Sequence, residues 1–110
     1  MNEFPTKQEI KLGLQIVEHG VLFLFQRSNG STGETVQVDQ SWSNVHSILS
    51  RLRKGQRYCA KDHPLLIWQE GQELHIKFYL PDLKVAEECI FSSEETRRIL
   101  TMLERLPGLN

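Results

Sequence analysis

The sequence predicts an α+β domain: two tandem β-β-β-α units, antiparallel within each unit, sharing one core. Three observations carry this. Leu74, Ile76, Phe78 and Leu80 alternate with His75, Lys77 and Tyr79, the period-2 signature of a half-buried strand. That strand belongs to a stretch, residues 73–106, that reads strand, turn, strand, helix, and residues 21–52 have the same order of parts. Ile99, Leu103 and Leu106 lie 54 residues beyond Val45, Leu49 and Leu52, while Ile67 and Gly71 lie 51 beyond Ile16 and Gly20.

Residues 1–9 are polar, contain Pro5 and read as a lead-in. Ile10, Leu12, Leu14 and Ile16 then alternate with Lys11, Gly13, Gln15 and Val17, a strand with one apolar face. Glu18-His19-Gly20 is a short turn. Val21-Leu22-Phe23-Leu24-Phe25 is apolar on both faces, which predicts a central or doubly covered strand. Residues 28–33 are dense in turn formers and predict a hairpin loop. Val36 and Val38 mark a short third strand. Ser41 is placed to cap a helix whose stripe is Trp42, Val45, Leu49 and Leu52, and Gly55 ends it.

Residues 57–64 read as a connector, 65–69 as a strand and 70–72 as a turn. After the alternating strand, Pro81-Asp82 turns the chain and residues 84–91 form a further strand. Ser92 and Glu95 have capping-box spacing; Ile99, Met102, Leu103 and Leu106 make the stripe, and Pro107-Gly108 stops it. The whole chain, residues 1–110, is thus one domain: repeat one about 10–54, connector 55–64, repeat two about 65–107.

At 110 residues, with 39% hydrophobic and 25% charged, the chain suits one small globule rather than a disordered segment. A core of this size gains from surface shared with a second copy, so a homodimer is an expected state. The net charge of −1 argues against a protein that works by wrapping duplex nucleic acid. Two cysteines, no signal-peptide pattern and no apolar run of membrane-spanning length predict a cytoplasmic protein with free thiols.

Two tandem β-β-β-α units in about a hundred residues resemble the architecture shared by the Whirly and PUR-repeat families. These are regulators that bind single-stranded DNA or RNA. The resemblance covers residues 10–106 and rests on element order and period. It implies curved antiparallel sheets with helices packed between or across them. The Lys-Gly-Lys-Ala-Ala-Leu signature of plant Whirly proteins has no match here, so no family residue is carried over.

Two clusters suit such a ligand. The segment 51–61 holds Arg51, Arg53, Lys54, Arg57 and Lys61, with Tyr58 among them and no acid. Cations near a helix end could contact phosphates; they could equally complement the helix dipole and solvate a loop. On the alternating strand, His75, Lys77 and Tyr79 share the outward face, a cation between two flat rings, which suits stacking of unpaired bases. Trp68 and Tyr58 could extend the platform, although Trp68 is expected to be at least partly core.

Other chemistry has little to stand on. Cys59 and His63 lack the four-ligand spacing of a structural zinc site, and they show neither a positioned base nor an oxyanion site for nucleophilic catalysis. Glu87, Glu88, Glu94 and Glu95 supply carboxylates, but Glu94 and Glu95 fall in a helix first turn, where negative charge is favoured anyway. There is no P-loop or dinucleotide fingerprint. The expectation is therefore a non-enzymatic, cofactor-free domain that binds single-stranded nucleic acid in gene regulation. The competing reading is a protein-interaction or dimerisation module.

Overall fold

A computed structural model describes residues 2–27, 35–60, 65–80 and 85–106. The loop at 28–33, the Pro81-Asp82 turn, the Pro107-Gly108 stop, Lys61 and His63 lie outside the described residues. Two antiparallel four-stranded meanders are each followed by a helix. The first sheet has β1 (Asn2–Pro5), β2 (Ile10–Val17), β3 (Gly20–Arg27) and β4 (Val36–Ser41), in that order, and then α1 (Trp42–Arg53). The second has β5 (Tyr58–Cys59), β6 (Leu65–Glu70), β7 (Glu73–Leu80) and β8 (Val85–Ile90), and then α2 (Ser93–Glu104).

The α+β class and the duplicated element order agree with the sequence pattern, with one strand more per unit. The lead-in contains β1, which pairs Phe4 with Leu12, and the connector contains β5, which pairs Tyr58 with Ile67. Both are edge strands too short to show a period. Phe4 is the one buried residue of β1, and Pro5 is tolerated because an edge strand can forgo a donor.

Local chemistry sets the helix ends. The Ser41 and Ser92 hydroxyls accept from the Asn44 and Glu95 backbone N–H groups, at 3.1 and 3.2 Å, as the spacing predicts. Beyond α1, Gly55 takes a left-handed φ of 70°. Each helix has 12 residues, and cap matches cap at an offset of 51. Val45, Ile48 and Leu52 therefore answer to Thr96, Ile99 and Leu103, and the offset of 54 is a misreading. Its cause is Thr96, a polar residue in an apolar position. Buried, it accepts from the Leu74 N–H at 2.9 Å and donates to the Phe91 carbonyl at 3.3 Å, fastening α2 to β7.

The two hairpin glycines are likewise not equivalents. The turns close Val17 on Gly20 and Glu70 on Glu73, so Gly20 answers to Glu73. Gly71 occupies the turn itself, with φ of 59°. Gly20 is needed for closeness: a Cβ there would lie 1.8 Å from the Gln40 carbonyl oxygen.

The inward faces of both sheets and the helix stripes form one core. Phe25 and Phe78 stack between the sheets with centroids 4.1 Å apart. Each helix lies against both sheets. α1 packs on β3 and β4 of the first and on β5 and β6 of the second, while α2 packs on β7 and on β1. The β1–β2 loop reaches over to the second sheet, where the Lys7 N–H donates to the Ile90 carbonyl and the Ile90 N–H donates to Gln8 Oε1. The Lys7 ammonium meets the Glu73 carboxylate nearby. No helix among the described residues is long and apolar enough to cross a membrane.

Candidate nucleic-acid interface

Strand alternation sends one side of the second sheet outward. Register sets Trp68 beside His75 and Ile90 in one cross-strand row, Leu66 beside Lys77 and Glu88 in the next, and Tyr79 beside Ala86 in a third. His75, Lys77 and Tyr79 therefore do share a face, as their period requires. Their environments differ. Tyr79 is 40% exposed and Lys77 half-buried, whereas His75 is 6% exposed and offers no free ring.

What covers His75 is Trp68, stacked on it at 5.1 Å between centroids and 22° between planes. The guanidinium of Arg57 lies over the indole at 5.2 Å. The Trp68 indole N–H donates to Glu70 Oε1 at 3.1 Å, Glu70 Oε2 lies 3.5 Å from His75 Nε2, and Glu88 Oε1 lies 3.1 Å from His75 Nδ1. Trp68 is thus braced upright on the outer face. It lies outside the core expected for it, because Leu65 and Ile67 are the inward residues of β6.

Tyr58 goes the other way. As the inward residue of β5 it is 6% exposed and donates its hydroxyl to Gln40 Oε1 at 3.1 Å, joining the two sheets. Burial, followed by the neighbouring Cys59, raises its pKa, and Arg51 partly offsets the rise. It is a core residue, not part of a stacking platform.

The basic segment does not form one strip. Arg51 lines a groove between α1 and the edges of β4 and β5. Arg53 turns to α2, 3.6 Å from Glu104, an exposed pair of small energetic weight. Lys54 is the exposed C-cap of α1, and Arg57 is engaged by Trp68. Of these, Arg57 alone reaches the aromatic face among the described residues. Among the described residues of that face, Arg57 and Lys77 are matched by Glu70 and Glu88, so their formal charge with neutral histidine is balanced.

Cations on α2 did not stand out in the sequence. Arg97 and Arg105 border a depression lined also by Phe4 and Met102, and Arg98 stacks on the Phe4 ring at 4.9 Å. The four-residue spacing of Arg97, Thr101 and Arg105 was the available signal. Cys59 is exposed and Cys89 buried, both as free thiols. Burial, reinforced by Glu87 and Glu88, pushes the Cys89 thiol up to about 12, which leaves it unreactive. No group of three or more His, Cys, Asp or Glu side chains that could hold a metal occurs among the described residues. Comparison with known proteins finds no matching family model, curated protein or solved structure.

Proposed function

We propose that the chain is a non-enzymatic, cytoplasmic binder of single-stranded DNA or RNA, acting in regulation through the outer face of the second sheet. The observation that carries this reading is Tyr79, a ring 40% exposed and one strand step from Lys77, on the face where Arg57 and His75 brace Trp68. An exposed ring on an open sheet stacks with any unpaired base, and nearby cations meet the backbone. The resemblance to the Whirly and PUR-repeat families points to the same ligand. The balanced charge of the face makes stacking, rather than phosphate neutralisation, the main source of affinity.

The test is a fluorescence-anisotropy titration with short single-stranded and duplex oligonucleotides at two salt concentrations. Tyr79→Ala should cost ~1–3 kcal/mol of single-strand binding with little change in salt slope. Arg57→Ala should weaken binding and lower the slope by ~0.7, the share of a single neutralised phosphate. Absence of single-strand binding at low salt ends this reading. The second reading is an interaction surface for a protein or for a second copy of the chain. It is favoured by Glu70 and Glu88 on the same face and by the half-buried Leu66 and Ile90. In that case Tyr79→Ala would disturb self-association or partner capture instead.

A further inference from the structure

The groove beside α1 is separate from the aromatic face and has a chemistry of its own. It has a volume of about 670 Å³ and is bounded by three elements. From α1 come Asn44, Ser47 and Arg51, at spacings of three and four and therefore on one side of the helix, flanking the buried stripe of Val45, Ile48 and Leu52. β4 contributes Asp39 and Gln40, and β5 contributes Tyr58.

Gln40 and Tyr58 give the groove a fixed polar wall. Gln40 is 1% exposed, accepts from the Tyr58 hydroxyl and donates through Nε2 to the Asp39 carbonyl at 2.9 Å. Arg51, Ser47 and Asn44 supply donors along one side, and the Asp39 backbone carbonyl, on which Gln40 Nε2 already donates, is an acceptor at the β4 edge. At 1.5 Å of rise per residue, the helix carries the donor line about 10 Å from Asn44 to Arg51.

We infer that this groove binds a phosphorylated sugar. The phosphate lies on the Arg51 fork and the Ser47 hydroxyl, and the Asp39 carbonyl accepts from a sugar hydroxyl. A guanidinium recognises phosphate with two parallel N–H bonds, and a carbonyl oxygen has a second lone pair to accept a hydroxyl proton. The volume falls within the roughly 300–1,000 Å³ of small-molecule sites and exceeds what a bare anion needs. Among the described residues, Tyr58 is the only aromatic ring in the wall besides the exposed His19, and it is buried, so recognition does not depend on its stacking a base.

The sugar phosphate could be a free nucleotide or one unit of a bound strand. The strand source rests on the proposed function: β5 borders both sites, with Cys59 lining the groove and Arg57 two residues earlier on Trp68. A strand leaving the sheet would cross β5 into the groove.

Amide-shift NMR titrations of the full chain with ribose 5-phosphate, with inorganic phosphate and with 5′-phosphorylated or unphosphorylated oligothymidylate test this. Ribose 5-phosphate should give saturable shifts at Ser47 and Arg51. Loss of the charge-assisted fork in Arg51→Gln should weaken it about tenfold. Ribose 5-phosphate should bind more tightly than inorganic phosphate. Arg51 is exposed, and an unchanged thermal melt would confirm that the variant folds. No saturable shift, or one indifferent to Arg51→Gln, overturns the inference, even if oligothymidylate still binds the sheet in a Tyr79-dependent way. If ribose 5-phosphate binds as expected while oligothymidylate does not bind at all, the groove site stands, its source is the free sugar phosphate, and the single-strand reading alone fails. A 5′-phosphate that strengthens oligothymidylate binding in an Arg51-dependent way identifies the strand as the source.

Discussion

On the outer face of the first sheet, Leu22 lies between Gln15 and Asp39, and Leu24 between Gly13 and Gln37. At comparable places the second sheet carries His75 between Trp68 and Ile90, and Lys77 between Leu66 and Glu88. The inner faces are alike in being mainly large apolar residues feeding one core, with Gln40 the polar exception in the first and Tyr58 and Cys89 the departures in the second. The difference teaches where each half is constrained. A shared core holds the inner faces to apolar residues of matched size, whereas an outer face is free to diverge. The helices diverge too. α1 has Arg51 and Arg53 in its last turn and no acid in its first; α2 has Glu94 and Glu95 in its first and no base in its last. Within the helices, charge thus complements the last turn of α1 and the first turn of α2, with Arg105 standing at the C-cap of α2.

The likeness of the inner faces can be broken most directly at the ring stack between the sheets. Phe25→Ala and Phe78→Ala should each cost ~3–5 kcal/mol in urea denaturation, with a single transition kept in both. Two separate transitions would show that the halves have independent cores. The tie between Tyr58 and Gln40 comes next. Tyr58→Phe strands a buried amide oxygen and should cost ~1–3 kcal/mol, while a variant as stable as the parent would show that the amide finds another partner.

The helix contrast gives a smaller effect. Ser41→Ala and Ser92→Ala should each cost ~1 kcal/mol. The loss should be greater in α1, whose first turn has no carboxylate; equal losses would show that Glu94 and Glu95 contribute nothing to the start of α2. Smallest at neutral pH is the effect of the Cys89 thiol. Its folded pKa is about 12 against an ordinary 9.0, so the folded chain keeps a proton that the unfolded chain loses. Its contribution is therefore intact below pH 9 and falls as pH rises toward 12. Tyr58, also raised, acts in the same direction, so the measurement is the difference in alkaline slope between the parent chain and Cys89→Ala. A native-state thiol reagent should modify Cys59 and leave Cys89 untouched.

Much of the fold was legible because alternation and capping are local. β2 and β7 could be read from period alone, and both caps from serine placement. The short strands β1 and β5 could not, since two to four residues carry no period. β6 was ambiguous for another reason: Leu65, Leu66, Ile67 and Trp68 are apolar on both faces, so only the paired strand decides that Trp68 points out. The placement of the candidate residues was half legible. The face shared by His75, Lys77 and Tyr79 follows from period, but the cover over His75 comes from Trp68 across the register. The grouping of Arg51, Arg53, Lys54 and Arg57 failed because a helix end and a strand start send adjacent residues to different surfaces. The polar line of Asn44, Ser47 and Arg51 was available at helical spacing, but the stronger apolar stripe on the same helix masked it.

Ile90 on the rim of the second sheet has a further consequence. Its N–H and its carbonyl, the groups that an incoming strand would pair with, are already taken by Gln8 and Lys7. An open strand edge is a template for aggregation, and here a segment of the opposite sheet plugs it. Gln8→Ala should leave the fold intact and release one donor at that rim. Light scattering on prolonged incubation should then show faster growth of assemblies than the parent, and identical growth would mean that the rim is guarded by something other than this plug.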